Sequence, residues 1–91
     1  MQVKRDRLQV IKDMLQVIKD NNNEIKPTPL LRYANLSTQR FSEYLNELLE
    51  KDFILEKLDK KGRKCYSLTD KGQRYLEKYN LITGFIEDFD L

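Results

Sequence analysis

The groups in this sequence that could do chemistry are mostly cations. Lys60, Lys61, Arg63 and Lys64 crowd around Gly62, and with Lys57 and Asp59 the stretch 57–64 carries a charge of +4. Charged loops often do no more than keep a surface solvated. A patch this dense around a turn glycine is also what neutralises neighbouring phosphates and releases their counterions. A second, polar set lies upstream: Ser37, Thr38, Gln39, Arg40, Ser42, Glu43 and Asn46. Amides such as Gln39 and Asn46 match an adenine edge, Arg40 matches guanine or phosphate, and a carboxylate such as Glu43 can accept from a cytosine amino group. Ser37 and Thr38 stand where a helix N-terminus binds phosphate, although Ser37 serves equally as a plain cap. Glu43, Glu47 and Glu50 repel phosphate. Only the first turns of their segment are therefore expected deep in a groove, with Arg32 and the lysine cluster supplying most of the counterion release.

Other chemistries are excluded by what is missing. The chain has no histidine and a single cysteine, Cys65. An intrachain disulfide, a thiolate–imidazole pair and the usual zinc ligand sets cannot form, and no metal or cofactor is expected. The carboxylates are spread along helical faces among lysines, the pattern of a solvated surface, so no enzyme is expected. Cys65 reads as a buried structural thiol in preference to a redox switch.

Ninety-one residues suffice for one compact core. With 40% hydrophobic and 35% charged residues, a soluble globular domain is expected. No apolar run approaches the ~20 residues that span a bilayer, and Met1 to Arg7 lead into no apolar signal core. A cytoplasmic location follows as an expectation. The net charge of +2 is uninformative, but its distribution is not: Glu87, Asp88 and Asp90 leave the last five residues at −3, and without them seventeen cations face twelve acids, for +5.

Regular elements must position these side chains, and periodicity supplies them. Leu8-Gln9-Val10-Ile11-Lys12-Asp13 recurs seven residues later as Leu15-Gln16-Val17-Ile18-Lys19-Asp20, which predicts a helix from about Arg5 to Asn21. Leu8, Ile11, Leu15 and Ile18 form one apolar stripe, and Val3, Val10, Met14 and Val17 form an adjacent one. Together they make either one wide buried face or a core face beside a face that receives another helix. Pro27 biases Lys26 toward extended backbone, so Glu24 to Lys26 is a short strand or an extended connection. Thr28 is expected to cap a second helix from Pro29 to about Ala34, and Ser37 a third running to about Lys51 with Phe41, Tyr44, Leu45, Leu48 and Leu49 as its apolar stripe. Residues 53–58 and 64–68 change to strand patterning around the Gly62 turn. Thr69 caps a last helix reaching about Phe89.

The order is helix, possible strand, helix, helix, strand, strand, helix: mainly α with a small β-hairpin, in winged helix-turn-helix order. A helix roughly 10 to 12 Å wide fits a major groove about 12 Å across. The stretches Thr28-Pro29-Leu30-Leu31-Arg32-Tyr33-Ala34-Asn35-Leu36-Ser37, Tyr44-Leu45, Leu48-Leu49-Glu50-Lys51 and Tyr66-Ser67-Leu68-Thr69-Asp70-Lys71-Gly72 resemble the archaeal small winged helix-turn-helix DNA-binding proteins. These comprise the 10-kDa chromosomal class and related predicted transcriptional regulators. The resemblance covers roughly Leu8 to Tyr79. It implies double-stranded DNA as the partner, weak sequence preference, and a dimer made through the C-terminal helix. Such proteins usually carry Gly just before the hairpin, where this chain has Asp52, and the chromosomal members have a longer last helix.

In that last helix Tyr75, Tyr79, Ile82, Ile86 and Phe89 are spaced as a coiled-coil seam about two heptads long, with Leu76, Leu81 and Phe85 beside it. Tyr75 and Leu76 are expected to fold back onto the first helix. The apolar residues that continue to Phe89 exceed what so small a body needs. A homodimer surface is therefore expected from Tyr79, Ile82, Phe85, Ile86 and Phe89 together with Val10, Met14 and Val17 of the first helix. The chain divides accordingly into a winged-helix unit, 1–74, and a dimerisation segment, 75–91. A competing reading is a winged helix turned to protein–protein interaction, favoured by the acidic third helix and acidic tail.

Overall fold

The computed structural model describes residues 5–91. The elements are α1 (Arg7–Asp20), α2 (Pro27–Ala34), α3 (Thr38–Glu50), β1 (Ile54–Leu58), β2 (Lys64–Leu68) and α4 (Asp70–Asp88). The expected mainly α fold with one hairpin is what forms. Asp6 starts α1, its carboxylate accepting from the Gln9 amide at 2.8 Å. Asn22 and Asn23 then take left-handed backbone (φ 62° and 58°), which short amide side chains tolerate. Asn23 also accepts from the Leu68 amide at 2.7 Å, so the stop of α1 pins the end of β2.

Two boundaries differ from the expectation. Lys26 occupies the cap position of α2 without a side-chain bond and Pro27 opens the helix, so Thr28 lies inside the first turn and does not cap it. The physical reason is the pair of prolines: both fall in a first turn where amide donors would have no partner, so neither costs a hydrogen bond. The segment 24–26 contributes only a bridge between Ile25 and Tyr66. Ser37 and Thr69 do cap as expected, accepting from the Arg40 amide at 3.2 Å and the Gly72 amide at 3.1 Å.

Val3 lies outside the described residues, and the rest of the two stripes of α1, Leu8 apart, merge into one buried face. Val10 and Met14 are 1% and 0% exposed and lie with Ile11, Leu15 and Ile18 in the chain's own core, beside Leu30, Ala34, Phe41, Leu48, Ile54, Tyr66, Leu68 and Leu76. This corrects their expected place in a dimer surface: α2, β2 and α4 all pack on α1, and covering it from several sides takes an arc wider than a single stripe. Val17 is half-buried against that core. Leu8, expected inside, is 53% exposed where α1 begins. There its carbonyl accepts from the Tyr75 hydroxyl of α4 at 2.7 Å.

β1 and β2 pair antiparallel from Ile54↔Leu68 to Leu58↔Lys64. Asp52, just before the hairpin, adopts φ 61° and so performs the left-handed turn for which glycine is the usual choice. The Thr69-Asp70-Lys71-Gly72 element secures the other side of this junction. Thr69 donates its hydroxyl to the Asp52 carbonyl, and Lys71 donates to the Lys51 carbonyl at 2.7 Å while lying over the Phe53 ring. Gly72 passes so close that a Cβ there would sit 2.3 Å from the Phe53 carbonyl oxygen. Leu76 is the last buried residue of α4, and the helix beyond it leaves the body.

Candidate nucleic-acid interface

The sharp connection between α2 and α3 is what sets the angle of α3. Asn35 turns the chain with φ 55°. Arg5 reaches from the start of α1 to donate to the carbonyls of Ala34 at 2.9 Å and Asn35 at 3.1 Å, filling acceptors that the end of α2 would leave bare, and it is itself braced by Asp13 at 2.9 Å. Arg5 carries no motif, and nothing in the sequence pointed to it. Arg32 is exposed on the last turn of α2.

On α3, Phe41 and Leu48 face the core, while Ser37, Thr38, Gln39, Arg40, Ser42, Glu43 and Asn46 are all exposed. At 100° per residue Gln39, Ser42, Glu43 and Asn46 share the outward face, and Arg40, Tyr44 and Glu47 lie on the flank beside it. The Gln39 amide donates to Glu43 at 3.5 Å. Arg40 lies over the Tyr44 ring at 5.9 Å, which holds the guanidinium by cation–π attraction and leaves its donors outward.

The acids of α3 are less repulsive than their number suggests. Glu47 accepts from Lys51 at 2.8 Å and is also hydrogen-bonded by Arg7 of α1. The Lys51 bond, reinforced by Arg7 against partial desolvation, holds the Glu47 carboxyl below its ordinary value. Arg7 is a second cation that sequence spacing did not place, since forty residues separate it from its partner.

The wing cations are not equivalent. Lys57 lies 3.4 Å from Glu24, Lys64 lies 3.6 Å from Glu56, and Arg63 bonds Asp59 through Nε at 3.1 Å. Lys60 and Lys61, at the tip, enter no ion pair among the described residues. The turn itself is closed by the Asp59 amide donating to the Arg63 carbonyl at 2.8 Å and by the Gly62 amide donating to the Asp59 carbonyl at 2.9 Å, with Gly62 at φ 76°. The Asp59 carboxylate lies at the centre. It accepts from the Lys61 and Arg63 amides at 2.9 and 2.8 Å as well as from the Arg63 side chain, with Lys26 at 3.9 Å. Those bonds, the Arg63 amide first, hold its carboxyl below the ordinary range.

Cys65 is 1% exposed, and burial pushes its thiol upward, so it stays protonated at neutral pH. In α4, Tyr79 stacks on Tyr75 at 6.1 Å and is half-buried. Beyond it Ile82 (61%), Phe85 (56%), Ile86 (42%) and Phe89 (64%) are exposed. No helix among the described residues is long and apolar enough to cross a membrane.

Comparison with known proteins agrees with this geometry. Residues 4–86 match the family model described as Winged helix-turn-helix. Sso10a-2, a DNA-binding protein from Sulfolobus solfataricus, is similar with a TM-score of 0.73 over 93% of this chain and 85% of that one, at 19% identity. F93 from STIV, a winged-helix DNA-binding protein, gives 0.72 over 88% and 91%, also at 19%. MepR, a transcription regulator of the Staphylococcus aureus multidrug efflux pump MepA, gives 0.78 over 88% and 60%, at 18%. These three likenesses speak for the fold. In sequence, the chain is 38% identical over 84 residues to the uncharacterized protein MJ0290 of Methanocaldococcus jannaschii. That match takes in 92% of this chain but 36% of the relative, so the chain spans about a third of the length of the curated relative it matches. The chain belongs to the winged helix-turn-helix family, and the three solved structures share its fold.

Proposed function

We propose that this chain binds double-stranded DNA as a homodimer, in the role of a transcriptional regulator or a chromosome-associated protein of the cytoplasm and nucleoid. The first turns of α3 enter the major groove, where Gln39, Ser42, Glu43 and Asn46 meet base edges and Ser37, Thr38 and Arg40 meet the backbone. Arg32 and the wing hold the flanking phosphates. One observation carries the reading: Lys60 and Lys61, which enter no ion pair among the described residues, stand at the tip of the hairpin that follows α3, a helix whose N-terminal turns are exposed and polar. Free cations release counterions from a duplex, whereas cations already paired release fewer.

The unit 1–74 supplies these contacts and the segment 75–91 joins two copies. Exposed Ile82, Phe85, Ile86 and Phe89, continuing from Tyr79, support this, because large apolar side chains grouped on one helix end gain most from a partner. Two α3 helices about 34 Å apart across the two-fold would engage successive major grooves.

The test is a mobility-shift titration on random-sequence duplex across a salt series. Binding that weakens steeply with salt supports the proposal. No binding at low salt would favour a protein–protein module. A preferred sequence would point to a regulator, and uniform coating to a chromosome-associated role.

A further inference from the structure

The wing is the densest basic segment of the chain, yet its centre is an anion. Asp59 gathers two backbone amides and the Arg63 side chain on one carboxylate, within a turn that Gly62 closes. An aspartate at this point opposes phosphate by charge alone, so an electrostatic count predicts that removing it tightens DNA binding. The hydrogen bonds predict the reverse. Without them the turn from 59 to 63 loses the acceptor that fixes two of its amides, and the lysines it carries lose a fixed direction.

We propose that Asp59 is the positioning residue of the wing: it folds the tip so that Lys60 and Lys61 face the duplex, and it engages Arg63 through Nε as a brace that contacts Asp59 in place of phosphate. Three features support this independently of charge counting. The Arg63 amide and side chain both donate to Asp59. The Asp59 side chain is only 14% exposed, and the Arg63 Nε is engaged on it at 3.1 Å. The wing cations other than Lys60 and Lys61 have carboxylate partners: Glu24 for Lys57, Glu56 for Lys64, Asp59 for Arg63. Lys26, from the segment before α2, also approaches Asp59 and ties the wing base to the body. The DNA contacts of the wing thus come from two residues of its tip, and their placement depends on a residue that repels DNA.

The proposal rests on the DNA-binding reading, so its test has one arm with DNA and one without. In the first, random-sequence duplex is titrated at several salt concentrations with wild type, Asp59→Ala, Asp59→Asn, Arg63→Ala and Lys61→Ala. Asp59→Ala is expected to weaken binding about fivefold, the size of one lost capping interaction. Asp59→Asn, which keeps an oxygen for the two amides, should stay within about twofold of wild type. Lys61→Ala should flatten the salt slope by about 0.9, and Arg63→Ala should leave it nearly unchanged. Tighter binding by Asp59→Ala, or equal flattening by Arg63→Ala and Lys61→Ala, overturns the proposal. In the second arm, amide hydrogen exchange of the free protein should lose protection at Lys61 and Arg63 in Asp59→Ala and regain it in Asp59→Asn. Unchanged protection in Asp59→Ala overturns it too. If wild type binds no duplex, the DNA-binding reading fails, and the exchange arm still decides whether Asp59 organises the tip.

Discussion

The wing and the far end of α4 are both exposed, and in opposite ways. At the wing, charges are arranged around the Asp59 carboxylate, which holds the turn, and Lys60 and Lys61 at the tip enter no ion pair among the described residues. At the end of α4 the exposed groups include Leu81, Ile82, Phe85, Ile86 and Phe89, with the Phe85 and Phe89 rings 4.8 Å apart. Exposed charge is stable in water. Exposed aromatic and aliphatic area is stabilised by being covered. The difference teaches that one region is ready to meet an anion as it stands, whereas the other is completed by an apolar surface, in our proposal a second copy.

The largest expected effect breaks both regions at their shared joint. Gly72→Ala drives a Cβ into the Phe53 carbonyl at the start of β1, where α4 also begins. Backbone must shift to relieve it, and a stability loss of about 2 to 4 kcal/mol is expected, read as a fall in the urea midpoint. Next in size is the dimer. Phe85→Glu with Phe89→Glu should leave the fold intact by circular dichroism while turning a dimer into a monomer in sedimentation and weakening duplex binding at least tenfold, since one half-site per molecule then remains. A monomeric wild type at tens of micromolar would remove that side of the comparison.

Smaller effects sharpen the electrostatic side. Glu47→Gln releases Arg7 and Lys51, so duplex binding should tighten by about twofold to fivefold, while stability falls by less than about 1 kcal/mol because the ion pairs are partly exposed. Acid should loosen the same contacts. Glu47 and Asp59 both have carboxyls held below their ordinary 4.5 and 3.8, so their contribution is complete above those values and is lost as pH falls through the lowered ones. Wing amide protection should therefore persist to pH 4 and decline below it, which exchange at Lys61 and Arg63 would record.

Much of this was legible in the sequence, for reasons that particular residues make plain. Capping hydroxyls at Ser37 and Thr69, the helical stripe of Phe41 and Leu48, and Gly62 between two alternating runs are local signals, and local signals survive folding. The basic tip and the polar face of α3 were legible for the same reason. What escaped depends on contacts between distant parts of the chain. Arg5 on the end of α2, Arg7 on Glu47 and Asn23 on Leu68 each join residues 29 or more apart. Val10 and Met14 were misplaced because periodicity gives the width of an apolar face but not how many neighbours cover it. Thr28 was misplaced because Pro27 is an equally good first helical residue. The intrachain partners of Arg63 and Lys64 were not legible either, since spacing shows charge and not which charge is already paired.

The central claim is that this winged helix grips duplex DNA through a positioned, cationic wing tip. The most direct measurement is the salt dependence of binding to a random-sequence duplex by wild type and by Lys60→Ala/Lys61→Ala. Wild type should bind with a steep negative slope, and the double variant should bind more weakly with a slope reduced by roughly two units. Equal slopes for the two proteins, or no binding by wild type at low salt, would contradict the account.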